Sequence, residues 1–112
     1  MNGNQANIDN WDDFLGKWFK VDRVKDWSLP AVVTNVKGEI DEDEEVNLIL
    51  DIQYDGKKLK FQPNKTNIGI IKEAGLPSPR ALITKKIYFK EVMNFNPQIR
   101  KKVPSLEIKN IE

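Results

Sequence analysis

The chain contains no cysteine and no histidine. The first absence rules out disulfides, thiol nucleophiles and Cys-based zinc sites, and the second removes the commonest general base and metal ligand at neutral pH. Long apolar runs are missing too. No stretch approaches the ~20 residues needed to cross a bilayer. The N-terminal MNGNQANIDN has neither the basic nor the apolar region of a signal peptide. A cytoplasmic protein with no membrane partner is the expectation. Glycine is scarce where phosphate chemistry would need it: Gly56-Lys57-Lys58 lacks the upstream glycine of a P-loop. Hydrolysis would have to rely on paired carboxylates, such as Asp51 with Glu91 or Glu107, and no motif brings these together. A non-enzymatic protein without a cofactor is therefore expected.

What is present suits one folded domain. The 112 residues are 39% hydrophobic and include three tryptophans and five phenylalanines, enough for a modest core. The net charge of +1 conceals a division of sign. Residues 1–56 hold 5 Lys and Arg against 13 Asp and Glu, a net −8, and residues 57–112 hold 13 against 4, a net +9. If folding keeps the halves apart, the second offers a basic surface to an anionic partner.

Trp11, Phe14 or Leu15, and Trp18 recur at helical spacing behind Asp9 or Asn10, predicting a short amphipathic helix over 10–18 preceded by flexible residues 1–9. Pro30 ends the irregular stretch that follows. AVVTNVKGEI is rich in β-branched residues and reads as a first strand. The run Asp41-Glu42-Asp43-Glu44-Glu45 reads as a solvated turn, and it lacks the ligand spacing and glycine of a calcium loop.

VNLILDIQYD alternates, with Val46, Leu48, Leu50, Ile52 and Tyr54 on one face and Asn47, Ile49, Asp51 and Gln53 on the other. Asp55-Gly56 is a hairpin signal leading into a third strand, with Leu59 and Phe61 inward and Lys58, Lys60 and Gln62 outward. Asn64 or Thr66 can cap a helix over 65–74 whose apolar residues are Ile68, Ile71 and Ala74 and whose stop is Gly75. KKIYFKEVMN supplies a fourth strand, residues 94–102 a basic, proline-bounded loop, and SLEIKNI a fifth strand. Five strands with a helix between the third and fourth is the order of an OB-fold, a small Greek-key barrel. A split barrel or another β-sandwich also fits this order.

The combination of FKVDRVKDW, a hairpin ending in Asn64-Lys65-Thr66-Asn67, the helix, then KKIYFKEV opened by Lys85-Lys86 and an Asn-Pro before a closing strand resembles small phage and prophage OB-fold proteins. These are regarded as single-stranded-DNA binders. The likeness spans roughly residues 14–111. It departs from the group at LPSPRALIT, which lacks an acidic, tryptophan-containing stretch, and in the strongly basic residues 94–102. The resemblance implies binding to single-stranded nucleic acid in viral or mobile-element replication or recombination.

A sequence-tolerant single-strand binder needs cations that follow phosphates and aromatic faces on which bases stack. Lys58 and Lys60, Tyr88 and Lys90, and Phe95, Arg100, Lys101 and Lys102 would adjoin one another in a closed barrel. Two readings fit Phe95: a base-stacking platform, or a plug in the barrel end with the lysines merely solvated. Lys65 and Thr66 at the helix start fit a plain cap or a phosphate cradle. The acidic turn 41–45 would repel phosphates beside a groove, steer a strand toward the basic loop, or engage a basic protein. A protein-interaction module using residues 1–18 and this turn is the competing reading. RNA is not separable from DNA, since nothing marks a 2′-OH.

Overall fold

The computed structural model describes residues 16–112. The flexibility expected for residues 1–9 and most of the helix expected over 10–18 lie outside the described residues. The last three positions of that helix are not helical. Gly16 has φ +82°, and Trp18 forms a parallel bridge with Lys60.

Five strands form one antiparallel sheet: β1 (Ala31–Ile40), β2 (Val46–Tyr54), β3 (Lys57–Phe61), β4 (Lys86–Asn96) and β5 (Lys101–Ile111), in the order β3-β2-β1-β4-β5. The helix α1 (Lys65–Glu73) joins β3 to β4. Asp55 and Gly56 both take positive φ, 51° and 75°, as a two-residue turn matched to the strand twist requires. Across it, Leu50 pairs with Phe61 and Ile52 with Leu59, so the alternation of β2 and β3 is in register on one apolar face.

Two assignments along β2 change. Val46 is 72% exposed because it stands at the outer end of the β1–β2 hairpin, beyond the core. Ile49 is buried on the other face, directly across from Lys37 and apart from the main core cluster.

The core-facing side of the sheet is strongly curled. Phe61 on β3 and Phe89 on β4 meet edge to face at 5.0 Å although β2 and β1 separate their strands in the sheet. Phe19 completes the cluster, 4.7 Å from Tyr54 and 5.3 Å from Phe89 between ring centroids. Such tilted and edge-on pairs are the preferred aromatic geometry. Ile71 from α1 and the fully buried Leu82 from a 3-10 turn (Pro79–Leu82) close the core on the other side.

The curl does not close into a barrel. The order leaves β3 and β5 as edges, and each is covered by something other than a strand of the sheet. Along β3, Phe19 donates its N–H to the Lys60 carbonyl (2.7 Å) and Lys60 donates to Lys17 (2.8 Å). Along β5, the Asn67 side chain donates to the Leu106 carbonyl (3.0 Å) and accepts from the Ile108 N–H (2.8 Å).

Asn64 caps α1 as expected, its side chain accepting the Asn67 N–H, and Gly75 ends it at φ +81°. The face of α1 that packs differs from the one expected: Asn67 and Ile71 are buried, Ile70 is partly so, and Ile68 and Ala74 are exposed. β1 and β4 share only Ala31↔Ile87 and Val32↔Lys86, and from this seam they run antiparallel. The β1–β2 and β4–β5 hairpins therefore leave the seam in opposite directions. No helix among the described residues is long and apolar enough to cross a membrane.

Candidate nucleic-acid interface

The expected loop over 94–102 is mostly strand. β4 continues to Asn96 and β5 begins at Lys101, with only a turn over 97–100 between them. Pro104 lies inside β5 and is tolerated because β5 is an edge. Leu106 and Ile108 direct their backbone groups outward to Asn67, and Pro104, two residues before Leu106, directs its missing N–H the same way.

The ribbon outruns the core beneath it. On the core-facing side its cross-strand pairs run Phe89↔Ile108, Glu91↔Leu106, Met93↔Pro104 and Phe95↔Lys102. The first pair is buried, whereas Met93 is 54% and Phe95 61% exposed. Phe95 thus plugs no barrel end; its ring is offered to solvent opposite Lys102. Arg100 adopts φ 54° at the end of the turn, and Arg100, Lys101 and Lys102 have no side-chain partner among the described residues.

The other expected cations are placed differently. The curl brings the inward face of β3 to β4, but Lys58 and Lys60 alternate with the buried Leu59 and Phe61 and stand on the outer face, away from that contact. Lys60 is committed to Asp51 at 2.9 Å, and Asp51 also takes Lys37 at 3.4 Å. The Lys60 hydrogen bond holds the Asp51 carboxyl below its usual value and raises the Lys60 ammonium in return. Lys90 pairs with Glu107 at 3.2 Å, and the half-buried Tyr88 lies across from Asn110. Of the eight residues singled out, four come together at the ribbon end: Phe95, Arg100, Lys101 and Lys102.

Two tryptophans flank the base of the ribbon. Trp18, with Lys17 Nζ 5.4 Å from its ring centre, shares an open cleft of about 620 Å³ with Phe61, Asn64, Pro104 and Leu106. This cleft marks the gap between β3 and β5. On the β4 side, Trp27 is 40% exposed and lines a second depression with Phe89, Lys90 and Lys109.

The turn carrying Trp27 is firmly held. Asp26 Oδ1 accepts from the Ser28 N–H and hydroxyl, which lowers the Asp26 carboxyl, and the buried Tyr54 hydroxyl accepts from Lys25 and Asp26 N–H groups. Trp27 was legible by the same reasoning as Phe95, an aromatic set between polar neighbours in DWSLP.

The acidic turn is a solvated turn as expected, but an ordered one. Asp41 Oδ1 accepts the N–H groups of Asp43 (2.9 Å) and Glu45 (3.0 Å), and Oδ2 accepts from Asn47 (3.1 Å). These bonds, that from Glu45 first, lower the Asp41 carboxyl. The turn sits on the hairpin that leaves the seam away from the ribbon, so its charges do not border the basic tip. Among the described residues no group of three or more carboxylates is arranged to hold a metal ion. At the start of α1, Lys65 and Thr66 are exposed, and the Asn67 amide that a phosphate would use is already taken by Asn64.

No family model matches the chain, and neither does any curated protein or solved structure.

Proposed function

We propose that this protein binds single-stranded nucleic acid, DNA first, without sequence preference, in the replication or recombination of a virus or mobile element. The observation that carries the reading is Phe95, exposed on a ribbon that projects past the core, directly across from Lys102 and beside Arg100 and Lys101. Phosphates follow Arg100, Lys101 and Lys102 while a base stacks on the ring, and Trp18 and Trp27 extend the stacking surface toward the body of the protein. Lys58 and Lys60 fall outside this surface. The sheet reads as an OB-type barrel left open between β3 and β5, with the β4–β5 hairpin in the place such folds use for oligonucleotides.

The test is fluorescence anisotropy of a labelled oligo(dT) of about 30 nucleotides, long enough for the ~4–16 nucleotides that one OB-type unit covers. A duplex and an oligo(rU) of equal length serve as comparisons. Preferential binding to the single strand is expected, with log affinity falling against log salt at about −0.7 per phosphate neutralised, or roughly −2 for three cations. Arg100→Glu with Lys101→Glu and Lys102→Glu should abolish that slope and leave the circular dichroism unchanged. Equal affinity of this variant would remove the ribbon tip as the site. Absence of binding at low salt would end the nucleic-acid reading.

A further inference from the structure

The five most exposed large apolar side chains among the described residues all stand at the ends of the two long hairpins. Ile40 (73%) and Val46 (72%) face each other across β1 and β2, next to the acidic turn 41–45. Met93 (54%), Phe95 (61%) and Ile99 (53%) stand on the β4–β5 ribbon, next to Arg100, Lys101 and Lys102. Each tip therefore combines an apolar patch with charge of one sign, and the two signs are opposite. Exposed apolar side chains grouped in this way mark contact surfaces, whereas single ones need no account. Opposite charge around such patches selects which surfaces meet.

The two tips of one molecule cannot satisfy each other, because their hairpins leave the two-pair seam in opposite directions. We infer that the acidic tip of one molecule docks on the basic tip of a second copy, the Ile40–Val46 pair against Phe95 and Ile99, with carboxylates of residues 42–45 facing Arg100, Lys101 and Lys102. Different surfaces meet in this contact, so each bound pair still leaves one acidic and one basic tip free. Such head-to-tail contacts extend into open chains unless a rotation closes them. The contact is stabilised by charges at the protein surface, and salt near 0.1 M, where screening acts over about 10 Å, weakens it.

Sedimentation velocity of the full chain without nucleic acid tests this, and its outcome does not depend on the nucleic-acid reading. At low salt the sedimentation coefficient should rise with concentration past that of a dimer, and salt should reverse the rise. One variant converts Glu42, Asp43, Glu44 and Glu45 to Lys and keeps Asp41, which holds the turn. The other converts Arg100, Lys101 and Lys102 to Glu. Each variant alone should remain monomeric, the equimolar mixture should associate, and a chain carrying both sets should regain self-association. If a variant fails to fold, Ile40→Ser with Val46→Ser replaces it and should also lose association. A wild-type protein that stays monomeric at every concentration, or a mixture of the two folded charge variants that stays monomeric, would overturn the proposal.

Discussion

On the outer edge of β5 the carboxamide of Asn67 takes the part of a neighbouring strand, bonding Leu106 and Ile108 from a fully covered position on α1. Its cap-region neighbour Asn64 has a lesser task, one hydrogen bond at an exposed helix start. Asn67→Ala would leave a buried carbonyl and a buried N–H unsatisfied, each costing about 1–3 kcal/mol, whereas Lys65→Ala and Thr66→Ala should be near neutral. Urea denaturation of the three variants checks the ranking.

Asp51 permits a second residue-scale prediction. Its carboxyl lies below the ordinary 3.8 in the folded protein, first because Lys60 donates to it. The folded state therefore keeps this charge to lower pH than the unfolded chain does. The associated stability is present above the unfolded value and is lost as pH falls through the folded one. Asp26 and Asp41 are lowered as well, so acid destabilises the wild type through several groups. Asp51→Asn should lose less stability than wild type between pH 6 and pH 3, measured by urea midpoints at each pH.

Among the elements, the β4–β5 ribbon matters most to the proposed activity. Phe95 has little to pack on, so Phe95→Ala should leave thermal stability within ~0.5 kcal/mol of wild type. If a base stacks on it, the same change weakens oligo(dT) binding by about 1–3 kcal/mol, roughly 5- to 150-fold, by anisotropy. Trp27→Ala should produce a smaller loss at the base of the ribbon.

The ribbon is also the element least visible in the sequence. Strands β1 to β3 show themselves through β-branched residues, alternation and Asp55-Gly56, because one face is apolar and the other wet. Beyond Glu91 both faces of the ribbon are wet, so the alternation disappears, and Pro97 and Pro104 suggest a loop until β5 is known to be an edge. Asn67 stayed hidden for a related reason. A buried polar residue inside a polar run reads as solvated unless its partner, here 39 and 41 residues away, is known.

For the whole molecule, the division of charge along the chain survives folding only in part. β3, from the basic half, lies against β2 from the acidic half, and Lys60 is neutralised there by Asp51. The ribbon escapes this mixing because β4 meets β1 over two residue pairs only. The chain order of the five strands, with α1 between the third and fourth, was legible from β-branched runs, alternation and the Asp55-Gly56 turn, but the helix expected over 10–18 was not found at its last three positions. Whether the sheet closes was not legible, because closure depends on the path of residues 17–19 along β3, and no periodicity marks that path.

The narrow seam also bears on how the molecule opens. β1, β2 and β3 are joined by long ladders of local contacts, as are β4 and β5 to each other, but few hydrogen bonds tie the two groups together. The aromatic contacts of Phe89 with Phe19 and Phe61 bridge them instead. Native-state hydrogen exchange should therefore resolve two cooperative units, with amides of the distal ribbon exchanging through a low-energy opening and those of β2 only on global unfolding. Phe89→Leu should bring the two openings further apart, because side-chain packing rather than the backbone ladder makes them one transition.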